Sequence, residues 1–125
     1  MEIPDYEVSY VRVCVKDVAA AREFYGEVLK MPVIADRTED GYLLLGLGCT
    51  TLIIEKVSPE EANLIPGRYL GISLKVGNIA QTYENLKKNG VVFSSAPEKQ
   101  FWGGYLTEFS DPDGNVWTLL GQTSG

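Results

Sequence analysis

Residues Val8–Lys30 read VSYVRVCVKDVAAAREFYGEVLK. Val11, Val13 and Val15 alternate with Tyr10, Arg12 and Cys14, the period of two that marks a strand with one buried face. Asp17 then stands where an N-cap belongs, and Val18, Ala21, Tyr25, Val28 and Leu29 recur at helical spacing until Pro32 closes the segment. Working outward, Pro32–Arg37, Tyr42–Leu47 and Thr51–Lys56 are short β-rich runs, the last two separated by Gly48 in a tight turn. The first half of the chain therefore reads as βαβββ.

The same order returns. LGISLKV, Leu70–Val76, alternates Leu70, Ile72, Leu74 and Val76 with Gly71, Ser73 and Lys75, and Asn78 takes the capping place of Asp17 at an offset of 78 − 17 = 61 residues. Ile79, Tyr83 and Leu86 mark a second helix that Gly90 stops, and Val91–Ser94, Tyr105–Phe109 and Val116–Leu120 supply three more strands. Val57–Tyr69, with Pro59, Glu60, Glu61 and Pro66, is polar and turn-rich. The expected organisation is a single α+β domain over 1–125, with one module at about 6–56, a linker at 57–69 and a second module at 70–121.

Composition narrows the function. The 125 residues are 45% hydrophobic and 22% charged, enough for one core and too little for a second independent one. The longest apolar runs, Leu43–Leu45 and Leu52–Ile54, fall far short of the roughly 20 residues that span a membrane. The first residues, MEIPDYEVSY, show neither a basic region nor an apolar one, so the expected location is the cytoplasm. Cys14 and Cys49 are too few for a disulfide framework and are expected as reduced thiols. A net charge of −6, from 17 acidic and 11 basic residues, argues against nucleic acid as partner. It also favours cationic over anionic small molecules, although the sign inside a pocket is set locally. The chain has no histidine, which removes the commonest general base, the His-activated nucleophiles and the commonest transition-metal ligand.

The Asp-capped helix with Phe24-Tyr25 and Leu29, the repeated strand and helix, Trp102-Gly103 and the D-P-D-G-N turn at Asp111–Asn115 together resemble the vicinal-oxygen-chelate superfamily. That superfamily includes glyoxalase I, extradiol dioxygenases, fosfomycin-resistance enzymes and bleomycin-resistance proteins. The resemblance runs from about Val8 to Leu120. It implies two βαβββ modules forming curled mixed sheets around a cavity, paired in many members across a two-fold dimer. Enzymes of the superfamily hold a divalent metal on four side chains, and the matching positions here are Tyr10, Glu55, Gly71 and Thr118. Gly71 has no side chain, Thr118 offers a neutral hydroxyl, and a phenol with an ordinary pKa near 10 ligates poorly at neutral pH. One carboxylate does not hold a transition metal against water, and the neighbours Arg12, Ser73 and Leu120 are no better. No metal, no other cofactor and no catalytic residue are expected.

The same positions become candidate ligand contacts. Glu55 ends an apolar strand, where it is either solvated or accepts a hydrogen bond from a ligand. Arg12 shares the face of Tyr10 and either neutralises Glu55 or meets the ligand. Gly71, Ser73 and Thr118 follow by position in the second module. Trp102 stands in a glycine-flanked loop whose counterpart in bleomycin-resistance proteins lies by the ligand groove; it either stacks on a planar ligand or plugs a dimer seam. Tyr69 and Tyr105 flank these elements as candidate lining residues. Trp117 falls opposite Thr118 and reads as core packing against a helix, Cys14 as a small lining residue, and Asp111 and Asp113 as turn formers.

The expected function is metal-free binding of a small organic molecule, aromatic or cationic, by a homodimer resembling the drug-sequestering bleomycin-resistance proteins. The alternative is a lyase, isomerase or dioxygenase of the same superfamily with an atypical or absent metal site. One such route is an isomerase using Glu55 as base and Tyr10 as acid. A structural or regulatory partner that kept only the dimer fold is the third reading.

Overall fold

A computed structural model describes residues 4–58, 60 and 66–123. Strand β1 (Tyr10–Val15) leads into helix α1 (Val18–Arg22), which widens into a π-helical stretch over Glu23–Val28. The expected cap is present: Asp17 Oδ1 accepts from the Ala19 N–H at 3.0 Å and the Ala20 N–H at 3.3 Å. In the π-helical turn the Leu29 N–H donates to Phe24 O at 2.9 Å, five residues back. The wide turn brings two consecutive aromatics, Phe24 and Tyr25, onto the buried side together. Strands β2 (Val33–Arg37), β3 (Tyr42–Leu47) and β4 (Thr50–Lys56) complete the first module.

The second module repeats the plan with β5 (Tyr69–Val76), α2 (Ile79–Lys88), β6 (Val92–Phe93), β7 (Glu98–Lys99), β8 (Tyr105–Ser110) and β9 (Val116–Gly121). Asn78 caps α2, its Oδ1 accepting from the Gln81 N–H at 3.1 Å. Strand β7, too short to carry a periodicity, was not expected, and β5 starts at Tyr69, so that residue belongs to the strand and not to the linker. Residues 59 and 61–65 of the linker lie outside the described residues.

The two sheets share one topology. In the first the order is β1-β4-β3-β2, with β1 and β4 parallel and the other pairs antiparallel; in the second it is β5-β9-β8-β6, with β5 and β9 parallel and β7 also on β8. The fold is α+β, as expected, with two mixed sheets; neither sheet closes on itself. One contiguous apolar cluster joins the modules: Val13, Val15, Leu43, Leu45, Leu52 and Ile54 from the first sheet, Phe109, Trp117 and Leu119 from the second, and Phe24, Tyr25 and Ile79 from the helical segments. Phe24 tilts toward Phe109 at 6.3 Å and Tyr25 meets Trp117 edge-on at 5.9 Å, so first-module aromatics pack on the second-module sheet. Full burial of each such large apolar side chain contributes roughly 1.5–3 kcal/mol. Among the described residues no helix is long and apolar enough to cross a membrane.

Because each sheet commits one face to this core, strict alternation leaves its other face open. The open face of the first sheet carries Tyr10, Arg12, Cys14, Ile53 and Glu55; that of the second carries Tyr69, Ser73, Thr118 and Glu108. The cavity implied by the resemblance is thus not enclosed by either sheet alone.

Candidate functional site

The first module presents an ion pair. Arg12 Nε meets Glu55 Oε2, both side chains being partly exposed. In the β1–β4 ladder Arg12 lies opposite Ile53 and Glu55 opposite Cys14, so the pair spans the strands diagonally. Arg12 therefore neutralises Glu55, one of the two roles foreseen for it. Tyr10 lies opposite Thr51, four residues before Glu55 on β4, which sets the backbones of Tyr10 and Glu55 about 13 Å apart along the ladder. Tyr10 is 59% exposed. Tyr10 and Glu55 are thus not neighbours within the chain, and it is the Arg12 guanidinium that meets the carboxylate.

The second module holds Tyr69 and Thr118 together, Tyr69 Oη lying 3.4 Å from Thr118 Oγ1. A backbone irregularity makes this contact. Between Tyr69, opposite Val116, and Ser73, opposite Thr118, β5 carries four residue steps where β9 carries two, and Gly71 sits in that bulge at φ +71°. Only glycine enters this left-handed region freely. Thr118 is only 4% exposed, while Tyr69, whose hydroxyl meets it, is 61% exposed.

The edge strands of the two sheets, β1 and β5, flank a common seam. A groove of about 320 Å³ on that seam is lined by Val11, Arg12, Cys14, Arg68, Tyr69, Leu70 and Ile72. A second groove of about 340 Å³ is lined by Val11, Leu47, Gly48 and Thr50 on one side and Ile72, Ser73, Leu74 and Lys75 on the other. Arg12 and Tyr69 thus share one groove, and Ser73 lies on the other.

Two candidates stand apart. Trp102 occupies the turn between β7 and β8, is 46% exposed, and does not line the seam groove. Its ring lies over Gly104, where a Cβ would come within 1.8 Å of Trp102 Cζ3. Tyr105 shares the face of Thr107 and Phe109 and packs, partly buried, against the apolar core, opposite in sense to Glu108 and Thr118. The alternation in YLTEFS already carried that signal.

Arg68 and Glu108 were missed. Arg68 fell in the reading of the linker, and Glu108 is placed beside Thr118 only by the β8–β9 pairing. Trp117 behaves as expected, fully buried with Nε1 donating to Tyr25 Oη at 2.9 Å.

The donor set does not fit a divalent transition metal. Tyr10 and Glu55 are separated along the ladder, Arg12 occupies Glu55, Gly71 is bare, and the Thr118 hydroxyl meets that of Tyr69. Among the described residues no three His, Cys, Asp or Glu side chains are grouped to hold a metal ion.

Comparison with known proteins agrees with this architecture. The profile of the Glyoxalase/Bleomycin resistance protein/Dioxygenase superfamily matches residues 7–119, and the chain belongs to that superfamily. YetH of Bacillus subtilis (strain 168) is 29% identical over 119 residues, covering 90% of this chain and 96% of its own. The crystal structure of a superfamily member from Sphaerobacter thermophilus DSM 20745 matches with TM-score 0.78 and 30% identity, covering 94% of this chain and 98% of that one. TnmS3, an antibiotic binding protein from Streptomyces sp. CB03234, matches with TM-score 0.80 and 27% identity, covering 97% of this chain and 99% of its own.

Proposed function

We propose that this protein binds a small planar organic molecule without a metal ion, as a cytoplasmic homodimer in which a second copy covers the open sheet faces. The observation that carries the reading is the Arg12–Glu55 pair, which occupies the family's one remaining carboxylate and leaves a polar, aromatic-rimmed face in place of a coordination site. Tyr10 and Tyr69 supply exposed rings of the kind that grip planar ligands at low entropy cost. The likeness to TnmS3, an antibiotic binding protein, supports a binding role. An aromatic ligand suits these rings; the cationic preference suggested by overall charge finds no support in the seam groove, which carries two arginines.

A thermal-shift screen of planar drugs and metabolites tests the reading. A ligand at about 100 times its dissociation constant adds roughly 2.7 kcal/mol of stability. The expected hit raises the melting temperature equally with and without added Ni²⁺, Zn²⁺ or Mn²⁺, and sedimentation gives twice the 13.8 kDa chain mass. Metal-dependent turnover of a glyoxalase or dioxygenase substrate would overturn it, and a monomer at high concentration would remove the two-chain site.

A further inference from the structure

We propose that the groove on the β1–β5 seam takes the carboxylate of an acidic planar ligand on the Arg68 guanidinium. This rests on the small-molecule reading above and adds the charge of the ligand. Among the described residues two arginines line the groove and no acidic residue does. Arg12 is already neutralised by Glu55, whereas Arg68 has no acidic partner among the described residues. Among the described residues the groove thus carries one positive charge that no acidic side chain pairs, in a chain whose net charge is −6.

The placement of Arg68 is built in. Asn115 Oδ1 accepts the Gly67 N–H at 3.0 Å and the Arg68 N–H at 3.3 Å, which anchors the backbone where β5 begins. The same Asn115 donates through Nδ2 to Cys14 O of β1 at 3.0 Å, holding the two edges of the seam in fixed relation. Beside the arginine, Val11, Leu70 and Ile72 offer an apolar floor and Tyr69 an exposed ring. A guanidinium fork presents two parallel donors to a carboxylate, while the floor and ring accept an apolar body. A volume of about 320 Å³ suits a ligand of two or three fused rings.

The test uses three probes of one shape: 2-naphthoate, neutral 2-naphthamide and cationic 2-naphthylmethylammonium, titrated calorimetrically into the full chain. The expected order is acid, then amide, then amine, with acid over amide by about tenfold at low salt. In Arg68→Gln the acid-to-amide ratio falls to near one, while Arg68→Lys keeps a reduced preference; matched melting curves confirm folding. Amide chemical-shift changes on binding centre on Arg68, Tyr69 and Leu70. Equal affinity for acid and amide in the parent protein overturns the charge assignment and leaves the binding reading standing. A ratio unchanged in Arg68→Gln places the anion contact elsewhere and overturns it too. Failure of all three probes to bind at millimolar concentration overturns the groove assignment, and the thermal-shift screen then decides the binding reading on its own.

Discussion

Tyr25 donates its hydroxyl hydrogen to Asp111 Oδ2 at 2.6 Å across 86 residues of sequence, and both groups are buried. The same hydroxyl accepts from Trp117 Nε1, and Asp111 Oδ1 accepts the Asp113 and Asn115 N–H groups of its turn. The D-P-D-G-N turn is therefore more than a hairpin device: it locks the first-module helix to the second-module sheet.

Tyr25→Phe leaves Asp111 and the Trp117 indole each short of a partner and should cost about 1–3 kcal/mol. Burial first, then the Asp111 charge, pushes the Tyr25 phenol far above its ordinary 10.0. The native state thus holds this proton where the unfolded chain releases it. The associated stability is complete below about pH 10 and is lost as pH rises beyond it toward the folded value. Urea unfolding at neutral pH and at about pH 10.5 should show a steeper alkaline loss in the parent than in Tyr25→Phe; equal losses would contradict the lock.

Asn115 is fully buried and binds Cys14 O, Asp111 Oδ2 and the Gly67 and Arg68 N–H groups with one carboxamide. Asn115→Ala should destabilise by about 2–3 kcal/mol through unsatisfied buried groups. Asn115→Asp should cost more, since it sets a second carboxylate against Asp111 and gives up the amide donors. Thermal melts read the order, and amide exchange should quicken first at Gly67 and Arg68.

The two tryptophans should separate in fluorescence. Trp102 is half-exposed and Trp117 fully buried, so acrylamide should quench Trp102 and spare Trp117. Gly104→Ala places a methyl inside the Trp102 ring position and should displace that ring, shifting the quenchable emission while leaving Trp117 unchanged. An unaltered quenching profile in Gly104→Ala would show that the ring does not rest on Gly104.

Divalent metals should bind weakly. With Arg12 on Glu55 and no group of three His, Cys, Asp or Glu side chains among the described residues, micromolar Ni²⁺, Zn²⁺ or Mn²⁺ should leave the melting temperature unchanged within about 1 °C. A concentration-dependent rise, abolished by Glu55→Gln, would show that Glu55 exchanges its arginine for a metal.

Most of the fold was legible because its signals are local. The alternating valines of Val11–Val15, the caps Asp17 and Asn78, and the offset between them state the strand and helix order within a few residues of themselves. Which face Arg12 shares with Tyr10, and that Trp117 opposes Thr118, follow from the same period of two. The sequence also excluded histidine chemistry outright.

Relations between segments were decided by the tertiary structure. Strand register depends on pairing between separate segments, 51 − 10 = 41 positions apart for Tyr10 and Thr51 and 118 − 108 = 10 for Glu108 and Thr118, and only that pairing separates Tyr10 from Glu55 and brings Glu108 beside Thr118. The bulge at Gly71 answers a mismatch between β5 and β9, which neither strand records alone. The π-helical turn seats Phe24 and Tyr25 together against Phe109 and Trp117 of the second-module sheet. Arg68 reads in sequence as linker; it becomes a groove residue because Asn115, 47 positions later, ties its backbone to the β1 edge. Local patterns carry backbone periodicity and burial, but the sign of the charge in the groove depends on which side chains long-range pairing sets face to face.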